Sequence, residues 1–138
     1  MECTDINYHV LQEQLEKQTK DMHSLVARRN TWLEVATQEE YRIQGGIEFI
    51  NQCMKISDRL IKIEAKVYRY FDKANKLSCD IEADFMGRNT GAKINKLGSI
   101  LDKAQGRMDK LASTLVSLEN EVGIKFEPET NSADSENN

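Results

Sequence analysis

The 138-residue chain predicts an all-α fold, an elongated helical hairpin or coiled-coil bundle of about three long helices with a disordered acidic C-terminal tail. Three observations carry that expectation. From Phe49 to Ile81 an apolar residue recurs in unbroken steps of 4 and 3, which suits a helix with a neighbour along its whole length. A second such run extends from Ile94 to Val122. The composition, 39% hydrophobic and 7% aromatic with seven Gly and a single Pro, is short of the residues that strands and turns require.

The first helix is expected over residues 5–43, capped by Thr4 or Asp5. Its seam is Tyr8, Leu11, Leu15, Gln18, Met22, Leu25, Arg29, Trp32, Ala36, Glu39 and Ile43. Polar members at Gln18, Arg29 and Glu39 cost stability and fix register or partner choice, so this helix is the one least suited to pair with itself. Trp32 and Leu33 form its bulky apolar knot, either an anchor for a partner's groove or a packing element of the chain's own bundle. Gly45-Gly46 then interrupts the heptad register, and is read as a kink or short break.

The second helix, residues 47–85, offers three faces. Phe49, Cys53, Ile56, Leu60, Ile63, Val67, Tyr70, Ala74, Leu77 and Ile81 form the clean a/d seam. Ile47, Ile50, Met54, Ile61, Tyr68 and Phe71 form a broken apolar seam at b and e. Lys55, Arg59, Lys62, Lys66, Arg69, Lys73 and Lys76 fill c and g, all of them basic. The segment Gly87-Arg88-Asn89-Thr90-Gly91 reads as a C-cap, a loop and a new N-cap, a usual length for an antiparallel connection. A third helix over 92–122 carries the seam Ile94, Leu97, Leu101, Ala104, Met108, Leu111, Leu115, Leu118 and Val122. Gly123 and Pro128 end it. Residues 1–126 therefore make one helical domain, and residues 127–138, with no large apolar side chain, a disordered tail.

No stretch is long and apolar enough to span a membrane, and the acidic, polar start lacks the marks of a secretory or transit peptide, which leaves cytosol or nucleus. Cytoskeletal association is compatible with either. Three Cys without a C-x-x-C spacing give neither a disulfide framework nor a zinc site. Cys53 is expected as a buried hydrophobe and Cys79 as an exposed thiol. Phosphate-binding loops and hydrolase elbows are absent, and His9 and His23 stand four turns apart on one helix without the Glu-x-x-His spacing of a bundle metal site. No catalytic residue, cofactor or metal is expected, and neither is nucleic acid, because the net charge is −4.

That net charge conceals a gradient. Residues 55–76 hold seven bases and three acids, while residues 1–43 hold eight acids and five bases. Like charges at i,i+4 within the basic ridge repel, so an acidic neighbour is expected against it. The candidates are the acids of the first helix, Glu13, Glu16, Asp21, Glu34, Glu39 and Glu40, an acidic helix of another chain, or an acidic polymer or lipid surface; plain solvation is the alternative. Taken together, the chain reads as a non-enzymatic coiled-coil subunit that assembles with other helical chains, a hetero-oligomer of cytoskeletal or spindle type associated with microtubules. The alternatives are a subunit of a vesicle or lysosome-related organelle tethering complex, and a homodimeric helical adaptor. Such a build is common to several assemblies of this kind, and fold alone does not choose among them.

Overall fold

A computed structural model describes residues 2–85 and 87–123, and within them every regular element is helical. Helix α1 spans Glu2–Ala36, α2 spans Glu39–Ala83 and α3 spans Thr90–Glu121. Tyr8, early in α1, reaches Glu82 near the end of α2, whereas Arg29, late in α1, reaches Glu64. These two helices are therefore antiparallel. Gln18 and Arg28 reach Leu101 and Glu119, so α3 runs parallel to α1 and antiparallel to α2. The result is an up-down-up bundle in which each helix packs against the other two. At 1.5 Å per residue, α3 is about 48 Å long.

The a/d seams explain the packing. Leu60, Val67, Leu97, Leu101, Leu111 and Leu115 are each almost wholly buried, and Met22, Leu25 and Trp32 of α1 close over them. Burial of a large apolar side chain contributes about 1.5–3 kcal/mol, so this shared core, rather than any helix alone, holds the rods together. One half of the core collects Met22, Trp32, Cys53, Leu60, Val67, Phe71, Met108 and Leu111. The other collects Tyr8, Ala74, Ile81, Ile94, Leu97 and Leu101, with Leu15 and Tyr70 packed against both.

Several boundaries differ from the sequence expectation. Helix α1 already runs from Glu2, so Thr4 and Asp5 lie inside it rather than capping it. It also stops at Ala36, not residue 43. The Thr37 hydroxyl donates to the Leu33 carbonyl at 2.7 Å, and Gln38 turns extended at φ −60° and ψ 156°. Glu39 and Ile43 thus belong to α2, and Ile43 is 75% exposed. The chain reverses in two corners, the first at Thr37-Gln38. The second is Gly46, whose φ of 66° and ψ of −163° divide α2. That backbone geometry is essentially confined to glycine, which is the physical reason the pair of glycines stands there. A Cβ on Gly45 would in addition run into the side chain of Phe49.

The second connection covers residues 84–89, so α3 begins at Thr90, two positions before the expected start. Thr90 is buried and does not cap the helix; its hydroxyl donates to the Asp84 carbonyl at 3.1 Å and ties the end of α2 to the start of α3. The tail at residues 127–138 lies outside the described residues.

Candidate functional site

Polar groups inside the bundle fix its register. The Gln18 amide donates to the Leu101 carbonyl at 2.9 Å and to Gln105 Oε1 at 3.2 Å. Arg29 Nε pairs with the buried Glu64 carboxylate. Arg28 grips Glu119 through two nitrogens, at 3.0 and 2.7 Å. Both polar interruptions of the α1 seam that fall within the helix therefore find partners, Gln18 on α3 through its amide nitrogen and Arg29 on α2. A one-turn slip would strand a buried charge, which is far costlier than the pair is beneficial. Near the other end, Tyr8 donates to Glu82 Oε2 at 2.6 Å, and the Gln12 amide donates to both. Burial first, and then the hydrogen bond to that carboxylate, push the Tyr8 hydroxyl up to about 12. Burial likewise pushes the Cys53 thiol up, away from the reactive thiolate.

The seam residues singled out for a partner helix are taken by the chain's own helices. Leu60, Val67, Ile94, Leu97, Leu101, Met108, Leu111, Leu115 and Leu118 are buried, and Phe49, Ile56, Ile63, Tyr70 and Leu77 are half-buried against the same core. Trp32 is 2% exposed, so it packs within the bundle, with Leu33 beside it. Trp32 is therefore not available to anchor a groove elsewhere.

What remains on the outside of α2 is the broken seam and the basic ridge. Ile47, Met54, Ile61 and Tyr68 are spaced by seven and share the b position, and their exposures are 76, 47, 42 and 37%. At e, by contrast, Ser57, Glu64 and Phe71 are buried towards α1, and Ile50 is half-buried. The apolar row thus lies just outside the α1–α2 packing.

The ridge lies on the opposite flank, towards α3. Lys55, Arg59, Lys62, Arg69, Lys73 and Lys76 are exposed and Lys66 half-buried. Among the described side chains, the acids of α1 do not reach it. Glu13, Glu16 and Glu34 are exposed on another side of the bundle, and Asp21 pairs with Lys17 at 3.0 Å. The expectation of an ion-paired ridge against α1 is corrected for these four; α1 packs on the e side of α2, and c and g point away from it. The Glu39 and Glu40 side chains lie outside the described residues.

Sequence reading missed that α3 has a basic row of its own. Lys93, Lys96, Lys103, Arg107 and Lys110 fall in 3-7-4-3 steps, with Ile100 filling the gap in the heptad pattern. The signal was present in the spacing, but only antiparallel packing sets this row against the ridge of α2. Among the described residues, no group of three or more His, Cys, Asp or Glu is arranged to hold a metal ion, and no helix is long and apolar enough to cross a membrane. Comparison with known proteins leaves the geometry to speak for itself: no family model, curated protein or solved structure matches the chain.

Proposed function

We propose that this protein is a non-enzymatic helical subunit of a multi-subunit assembly, docked to another chain through the outer face of α2. The observation that carries the reading is the exposed row Ile47, Met54, Ile61 and Tyr68. Single exposed apolar residues are ordinary, but four at heptad spacing on one rod make a continuous stripe with the period of a helical partner. From Ile47 to Tyr68 the stripe runs about 31 Å, about six turns of a docked helix beyond a core that is already complete. The occupant we assign is an amphipathic helix of a different chain. The exposed cations on the α3 flank of the same rod support placing the assembly at an acidic polymer such as a microtubule, as a cytoskeletal or spindle component, because surface charge raises encounter rates with acidic partners.

The test is a tagged chain expressed in cells beside its Met54→Glu/Ile61→Glu variant. Both positions are solvent-exposed, so the variant should melt like the parent. Helical chains recovered in fixed stoichiometry with the parent should be lost from the variant, and the purified parent should sediment as a monomer. A stable homodimer that the variant breaks would replace this reading with a homodimeric adaptor. Partners retained in full by the variant would remove the stripe from consideration.

A further inference from the structure

The groove between α2 and α3 gathers cations from both helices. Lys73 and Lys76 of α2 and Lys96 and Lys103 of α3 line one cavity of about 460 Å³. Its apolar part is Tyr70, Leu77 and the buried Ile100, and Asp80 is its one carboxylate. All four lysines are exposed, and among the described residues none has an ion-pair partner. Because the helices are antiparallel, moving one heptad back along α2 and one forward along α3 sets Lys66 and Arg69 beside Arg107 and Lys110. The positive strip therefore continues past the cavity. From Lys66 to Lys76 it is about 15 Å long. Asp102 and Asp109 occupy the b position of α3, and Asp102 lines a separate groove with Asn7 and Val10 on the α1 side. These two acids of α3 are thus sorted away from this face.

Four unpaired lysines around one cleft repel each other, and in a chain of net charge −4 such a strip is a local departure from the average. The shape narrows the ligand. A single phosphate or compact polyphosphate has no use for the Tyr70, Leu77 and Ile100 wall and does not extend along the strip. Flexible ammonium groups, rather than planar guanidinium forks, surround the cavity itself, and they accept carboxylates spaced along a chain without demanding one geometry. We propose that this groove binds an acidic peptide segment of a partner protein, its carboxylates on Lys73, Lys76, Lys96 and Lys103 and an apolar side chain against Leu77 and Ile100. The site does not depend on what covers the Ile47–Tyr68 row, and either surface survives the failure of the other.

Fluorescence anisotropy of the full chain with a labelled synthetic peptide of Glu-Glu-Leu repeats tests it. Saturable binding at low salt should weaken as salt rises, since the screening length contracts from about 10 Å at 0.1 M to about 3 Å at 1 M. Changing Lys73, Lys76, Lys96 and Lys103 to Gln should weaken binding about ten- to hundred-fold. Removing exposed charge away from the ridge, with Lys17, Lys20 and Arg88 changed to Gln, should cost less than threefold by the same reckoning. Replacing Leu by Ser in the peptide should weaken binding to the parent and not to the groove variant. Circular dichroism checks that the variants fold, and the lesser change Lys73→Gln/Lys103→Gln serves if the fourfold variant does not. Equal losses in the groove and control variants, absence of binding, or tighter groove-dependent binding of inositol hexakisphosphate or phosphatidylserine vesicles than of peptide would each overturn the assignment.

Discussion

Tyr8 shows how one side chain ties a helix end. Its ring packs at 5.9 Å from that of Phe85, and its hydroxyl donates to Glu82. The neutral phenol is what fits there, because a phenolate beside the Glu82 carboxylate would be both buried and repelled. Its pKa in the folded chain is about 12 against an ordinary 10, so the folded state holds the proton more tightly than the unfolded one. The corresponding stability is present in full below pH 10 and is lost as pH climbs through about 12. Tyr8→Phe should cost about 0.5–1.5 kcal/mol at neutral pH through the missing hydrogen bond. It should also flatten part of the alkaline decline. Urea midpoints of the two proteins, followed from neutral pH to about 12, should converge; parallel curves would remove Tyr8 from the account.

At the scale of elements, the polar members of the α1 seam decide how the rods align. Arg29 and Glu64 are both nearly buried, with side-chain exposures of 11 and 8%. Arg29→Met leaves a buried carboxylate alone and should destabilise by about 3–5 kcal/mol, as should Glu64→Leu by stranding the guanidinium. The double substitution should recover most of either loss, because an apolar pair of similar volume serves about as well as a buried ion pair. Denaturant titration of the four proteins measures the coupling. Simple addition of the two losses would mean that the ion pair carries no coupling across the α1–α2 contact.

At the scale of the whole molecule, three helices share one core and should unfold together. Leu111 is 1% exposed and packs in the half of the core that also holds Trp32 of α1 and Leu60 of α2. Leu111→Ala should destabilise by about 2–5 kcal/mol and lower the melting temperature of the entire helical signal by at least about 8 °C. Scanning calorimetry beside circular dichroism checks this. A variant in which α3 melted first while α1 and α2 persisted would show that the bundle is two units rather than one.

Much of this was legible in the sequence alone. Heptad spacing from Phe49 to Ile81 and from Ile94 to Val122 by itself determined an all-helical chain, two clean apolar seams and an antiparallel connection near Gly87. It did so because a period near 3.5 residues can bury a stripe only as a helix against helices. Periodicity does not say whose helices those are. Only the tertiary structure spent the a/d seam and Trp32 on the chain's own bundle, and so moved the free apolar surface to Ile47, Met54, Ile61 and Tyr68. The two-corner reversal also escaped the sequence, since Thr37 and Gln38 break no helical pattern until α1 must fold back on α2. The basic ridge was visible as a row, and its groove was not. Lys73 and Lys103 are thirty residues apart, and antiparallel packing alone brings like charges from two rods to one cleft. Local spacing sets which face of a helix is apolar or charged; which faces meet is decided by the energy of the closed core.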